Sequence, residues 1–104
     1  VVQPDLLAIR PERASIITLR WIEGPPDLVV EVLSPSTGRR DRGLKAARYA
    51  TFGVREYWLI DTDARTIEQF ELEGDRYVLR QTATATLRSL AFPDVALDLA
   101  QLWA

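Results

Sequence analysis

The sequence predicts an α/β domain with a mixed central sheet flanked by helices. Three observations carry this. DLVVEVL (27–33) is a nearly continuous apolar, β-branched run of the kind found in strands buried on both faces. A segment of helical character follows at 38–51, and a second apolar run, EYWLID, comes at 56–61. Strand, helix and strand in that order suggest a right-handed crossover between parallel strands. The chain has 104 residues and 47% hydrophobic residues, which suits one domain with one core.

VVQPDLLAI (1–9) reads as a strand interrupted near its start by Pro4, which suggests an edge or a bulge. Residues 10–24 are mixed, with a helical turn expected at 11–14 and an extended piece at 16–22. Pro25 and Pro26 precede the first buried strand, and SPST (34–37) stops it. Ser36 or Thr37 can cap the helix at 38–51. Gly43 weakens that helix, and Gly53 suits the position just past its end. After the strand at 56–61, TIEQFELE (66–73) and YVLRQT (77–82) flank an EGDR turn and read as a hairpin. A short strand is expected near 86–89. The tail VALDLAQLW (95–103) spaces Val95, Leu99 and Leu102 as a helix would. The strands at 66–73 or 77–82, taken as edges, and the apolar tail ending in Trp103 could serve a two-fold interface, so a homodimer is one expectation. Trp21, Trp58 and Trp103 are read as core or interface aromatics.

Composition narrows the chemistry. There is no cysteine, which excludes disulfides, zinc ribbons and thiol catalysis. There is no histidine, which excludes Ser-His-Asp triads, His-ligated zinc and His general bases. Carboxylates are hard oxygen ligands, so a metal here would be magnesium, manganese or calcium. No apolar run reaches the roughly 20 residues of a membrane helix, and no signal peptide is visible, so no membrane partner and a cytoplasmic address are expected. The formal net charge is -2. Yet residues 39–48 carry Arg39, Arg40, Arg42, Lys45 and Arg48 against Asp41 alone, a local patch able to attract a phosphate backbone. The plainer reading of that patch is a solvated helix face.

Two residues stand out. Glu31 lies in the middle of a greasy strand, where a carboxylate is costly unless it is paired, protonated or bound to a metal. Lys45 is the only lysine among thirteen basic residues, so a compact ammonium on a flexible stem is singled out where arginine is the rule. Asp41, Lys45 and Tyr49 follow each other at i+4 and share a helix face. Asp27 points to the same side as Glu31 but lies roughly 13 Å away at ~3.3 Å per residue, too far to share an ion. Asp5 is the natural second ligand, provided that strands 1–9 and 27–33 pair.

Pro4-Asp5, an acid on a buried strand at Glu31 and then a lysine resemble the PD-(D/E)xK nuclease superfamily. The longer pattern of PDLVVEVLSPST (26–37), DRGLKAARY (41–49) and GVREYWLID (53–61) closely resembles the Uma-two family of restriction endonucleases, and the likeness covers nearly the whole chain. It implies a restriction-endonuclease-like fold and metal-dependent hydrolysis of DNA phosphodiester bonds. On that basis Asp5 and Glu31 would bind Mg²⁺ or Mn²⁺, with the Val32 carbonyl completing the coordination. Lys45 would orient the attacking water or stabilise charge on phosphorus. Arg39, Arg40, Arg42 and Arg48 would position the DNA backbone. Asp41 and Tyr49 would hold Lys45 in place.

Two departures from the pattern matter. The usual lysine stands two residues after the acid, where this chain has Leu33, so Lys45 takes its role from the following helix. The resemblance also implies an upstream helix carrying a further carboxylate, so one domain spanning 1–104 and incomplete at its N-terminus is expected. Two rivals remain: an inactive nuclease-fold module that binds DNA or a protein, and a structural domain in which Glu31 pairs with an arginine.

Overall fold

The structure, a computed structural model, describes residues 4–17, 22–33 and 38–103, and of residues 38–42 it describes the backbone alone. The chain runs β1 (Leu6–Ala8), a 3-10 segment (Pro11–Ile16), β2 (Leu28–Leu33), α1 (Gly38–Phe52), β3 (Glu56–Asp61), β4 (Thr66–Glu73), β5 (Arg76–Ala83), β6 (Thr86–Arg88), β7 (Ala96–Asp98) and α2 (Leu99–Leu102). Strands β1 to β5 form one sheet in chain order, and β6 pairs with β7 in a small second sheet. Only β2 and β3 are parallel, and α1 connects them; the other neighbours in the main sheet are antiparallel. A parallel pair needs such a crossover, whereas antiparallel pairs can close through tight turns.

Alternation along each strand divides the core into two layers. Leu28, Val30, Trp58, Ile67 and Ala83 face one side, where they meet Leu87 and Leu99 of the C-terminal segment. Val29, Tyr57 and Leu59 face the other, where Tyr49 of α1 and Val54 pack on them. Burying each such Val, Leu or Ile contributes about 1.5–3 kcal/mol relative to leaving it in water. Tyr57 also joins a ring cluster with Tyr49, Phe70 and Tyr77, at centroid separations of 5.8, 5.5 and 5.4 Å respectively.

The end of α1 is set by Gly53. The Gly53 amide donates to the Tyr49 and Ala50 carbonyls, and a φ of +92° at Gly53 brings the Val54 amide back to the Tyr49 carbonyl at 3.0 Å. An L side chain disfavours that backbone, so the glycine is what turns the chain back into β3. At the start of β2, the buried Asp27 carboxylate accepts from the Arg10 amide and from Arg13 Nη1, both at 2.8 Å. This fastens the 3-10 segment to the sheet and commits Asp27 to a structural partner.

The elements expected at 27–33, 38–51, 56–61, 66–73 and 77–82 are found to within a residue or two. The 3-10 segment covers the expected helical turn but runs on through Ile16; Ile17 and Ile22 form an antiparallel bridge, and residues 18–21 of the expected extended piece lie outside the described residues. The tail differs from expectation. Residues 95–103 form no continuous helix: β7 pairs with β6, and only the short α2 follows, capped by the Asp98 carboxylate accepting from the Ala100 amide at 3.1 Å. The i, i+4 spacing of Val95 and Leu99 is incidental, because Val95 is exposed while Leu97 and Leu99 face the core. Strand 66–73 is also no edge: β4 lies between β3 and β5, leaving β1 and β5 at the margins. Trp58 is in the core and Trp103 packs against it, while Trp21 and the Ser36/Thr37 cap lie outside the described residues. No described helix is long and apolar enough to cross a membrane.

Candidate metal centre

The antiparallel register between β1 and β2 sets Leu6 across from Val30 and Leu7 across from Val29. Extending that register one step past the end of β1 sets Asp5 opposite Glu31. Residues in register point to the same side of a sheet, and Ala8 packs on the layer of Leu28 and Val30. Asp5 and Glu31 therefore share the side covered by α1. Asp5 Oδ2 accepts from the Val32 amide at 2.8 Å, which anchors the carboxylate beside Glu31 while leaving it exposed.

Glu31 is only 5% exposed, and both of its oxygens are held by α1. Lys45 Nζ lies 3.0 Å from Oε2, and the Tyr49 hydroxyl donates to Oε1 at 2.6 Å. The two side chains reach one carboxylate because i and i+4 lie above one another on a helix. Lys45 thus pairs with Glu31, and Tyr49 holds the carboxylate itself. Burial, and then the hydrogen bond to Glu31, push the Tyr49 phenol far above its ordinary value, so it is a fixed neutral donor. Among the described residues an ammonium and a phenol hold Glu31, and no guanidinium does.

The side chains of Arg39, Arg40, Asp41 and Arg42 lie outside the described residues. Arg48 is exposed on α1, beside the exposed Leu44 and Phe52. Val32 enters the site through its amide, which is engaged by Asp5.

A further buried carboxylate was not singled out by sequence reasoning. Glu56, at the start of β3, is fully buried on the opposite side of the sheet from Glu31. It accepts from Trp58 Nε1 (2.6 Å), Ser89 Oγ (2.7 Å), Gln69 Nε2 (2.8 Å) and the Ala91 and Leu90 amides (3.0 and 3.1 Å). Burial pushes its carboxyl upward, but the Ala91 amide, Ser89, Gln69 and the Leu90 amide together outweigh burial and hold it below the ordinary carboxylate value. Saturated with donors, Glu56 ties the 89–91 turn to the sheet. The available signal was a pair of polar residues, Glu56 and Gln69, inside otherwise apolar strands.

Asp5, just before β1, and Glu31, on β2, are hard oxygen donors. Magnesium typically takes one or two protein carboxylates and completes its shell with water and substrate phosphate, so the pair fits Mg²⁺ or Mn²⁺ better than an all-protein calcium cage. Among the described residues no group of three or more His, Cys, Asp or Glu comes together. The cation that Glu31 now holds is the Lys45 ammonium.

A mixed five-stranded sheet whose parallel pair is joined by a crossover helix defines an α/β protein. The fold is similar to the crystal structure of "a putative nuclease belonging to DUF820" from Anabaena variabilis ATCC 29413, with a TM-score of 0.72 at 20% identity. The likeness covers 98% of this chain but 59% of that one, so the chain spans about three-fifths of that structure's length. No curated protein matches the sequence. The chain belongs to the Uma2 family, described as "Putative restriction endonuclease", whose model matches residues 1–100.

Proposed function

We propose that this chain carries the catalytic site of a Mg²⁺- or Mn²⁺-dependent endonuclease that hydrolyses DNA phosphodiester bonds. The observation that supports it most is the buried Glu31, gripped by Lys45 from the crossover helix, with Asp5 just before β1 held by the amide of the neighbouring Val32. Family membership points the same way.

Asp5 and Glu31 would hold the ion, and Tyr49 would fix the rotamer of Glu31 through Oε1. The ion, when bound, supplies Lewis acidity toward the phosphate and makes a neighbouring water more acidic. Lys45 would orient that water or stabilise charge developing on the phosphate oxygens. Arg39, Arg40, Arg42 and Arg48 would draw the DNA backbone toward α1 without reading base sequence. Asp41, one turn before Lys45, would restrain the lysine stem.

Plasmid cleavage in Mg²⁺ or Mn²⁺ tests this reading against Glu31→Ala and Lys45→Ala. Loss of cleavage in both variants is expected. Unchanged cleavage in both rejects the site.

A module that binds DNA without cutting it is the second reading. It is favoured by the absence of a third metal-binding side chain near Asp5 and Glu31 among the described residues. It would show salt-dependent DNA binding with no requirement for a divalent ion.

A further inference from the structure

We propose that the Lys45 ammonium is the resident counter-ion of Glu31, and that a divalent cation bound between Asp5 and Glu31 displaces it toward the substrate phosphate. This rests on the proposed metal site and adds a coupling between metal, lysine and DNA.

The two described partners of Glu31 differ in freedom. Tyr49 is buried within a ring cluster, and its hydroxyl is fixed. The Lys45 side chain is 37% exposed and is attached through a flexible stem. When charge around Glu31 changes, the lysine is the partner able to move. With Lys45 in contact, the acid pair presents a net charge of about -1 to an incoming ion rather than about -2. An ammonium and a divalent cation competing for one carboxylate also repel each other strongly at contact distance, the more so near a partly desolvated group.

The displaced ammonium needs an anion, and the phosphate of a bound DNA strand supplies one. Metal and DNA should therefore bind with positive cooperativity. By linkage, each strengthens the other by the same factor. Without DNA, Lys45 holds metal affinity down, so the site becomes fully charged only when substrate is present.

Lys45 is the only lysine in the chain, which makes it directly observable. Protein labelled with ¹³C at lysine Cε gives a single resonance that needs no assignment. Mg²⁺ added without DNA should move this resonance toward its position in Glu31→Gln. In parallel, Mn²⁺ titration calorimetry should show Lys45→Ala binding the ion about fivefold tighter or more than the unsubstituted protein. Lys45→Met, which keeps an apolar stem over the strand, should behave as Lys45→Ala does. If calorimetry shows Mg²⁺ saturating the unsubstituted protein while its lysine resonance stays in place, or the variants bind Mn²⁺ no more tightly, the displacement idea is overturned and the metal site stands. If neither the protein nor Lys45→Ala takes up Mn²⁺, the proposed metal site fails with it.

Discussion

The Tyr49 hydroxyl donates to Glu31 Oε1 at 2.6 Å, one helical turn beyond Lys45, which contacts Oε2 at 3.0 Å. The carboxylate therefore has a rigid neutral donor on one oxygen and a movable cation on the other. Tyr49→Phe leaves the ring cluster intact and removes only the donor. A hydrogen bond to a charged group contributes about 1.5–3 kcal/mol. Urea unfolding of Tyr49→Phe should show a loss of that order, and cleavage should fall but persist.

Lys45→Arg keeps the charge but replaces a compact ammonium with a planar fork. If Lys45 acts on the phosphate through its geometry, arginine should not restore it. Cleavage by Lys45→Arg is expected to fall by about 10²-fold or more, the scale seen when a positioned electrostatic donor is lost. Wild-type rates in this variant would reduce Lys45 to a generic positive charge.

Glu56 predicts a pH dependence unconnected with the chemistry. Its carboxyl is held below the ordinary value of 4.5 in the folded chain, because the hydrogen bonds from the 89–91 turn and Gln69 outweigh burial. A depressed carboxyl contributes stability that is present above the unfolded value and lost as pH falls through the folded one. Urea midpoints should therefore decline below about pH 4.5. Glu56→Gln should be less stable at neutral pH by about 1–3 kcal/mol and should lose part of that acid slope. Activity per folded molecule should not change.

Much of the sheet is legible in the sequence because burial and pattern agree there. LVVEVL, EYWLID and TIEQFELE carry β-branched and aromatic residues between clear breakers, and β2, β3 and β4 follow them. The pairing of Asp5 with Glu31 depends on nonlocal register, which the sequence allows but does not display; β1 supplies it by lying antiparallel to β2. The C-terminal segment is obscure for a physical reason. Its course is set by Glu56, more than thirty residues earlier, whose carboxylate collects the amides of the 89–91 turn. Helical spacing in 95–103 competes with that anchor and loses. Glu56 itself is masked by Arg55 beside it, which makes the pair look like ordinary surface charge.

Alkali should act through the phenols. Burial first, then Glu31 at Tyr49 and the Tyr57 hydroxyl at Tyr77, raise both groups well above the ordinary phenol value of 10.0. A raised folded value means stability that is intact below the unfolded value and lost as pH climbs toward the folded one. Phenolate absorbance from these two tyrosines should appear together with loss of the far-ultraviolet dichroism signal, not ahead of it. Early, independent ionisation of both would contradict the burial and hydrogen bonding assigned to them.

The proposed chemistry requires Asp5 and Glu31 to hold a divalent cation jointly. A crystal soaked in manganese tests it most directly, through the anomalous signal of the ion. A peak beside the two carboxylates is expected, with Lys45 drawn away from Glu31. A well-ordered site with no peak there, at a manganese concentration that supports cleavage, would contradict it.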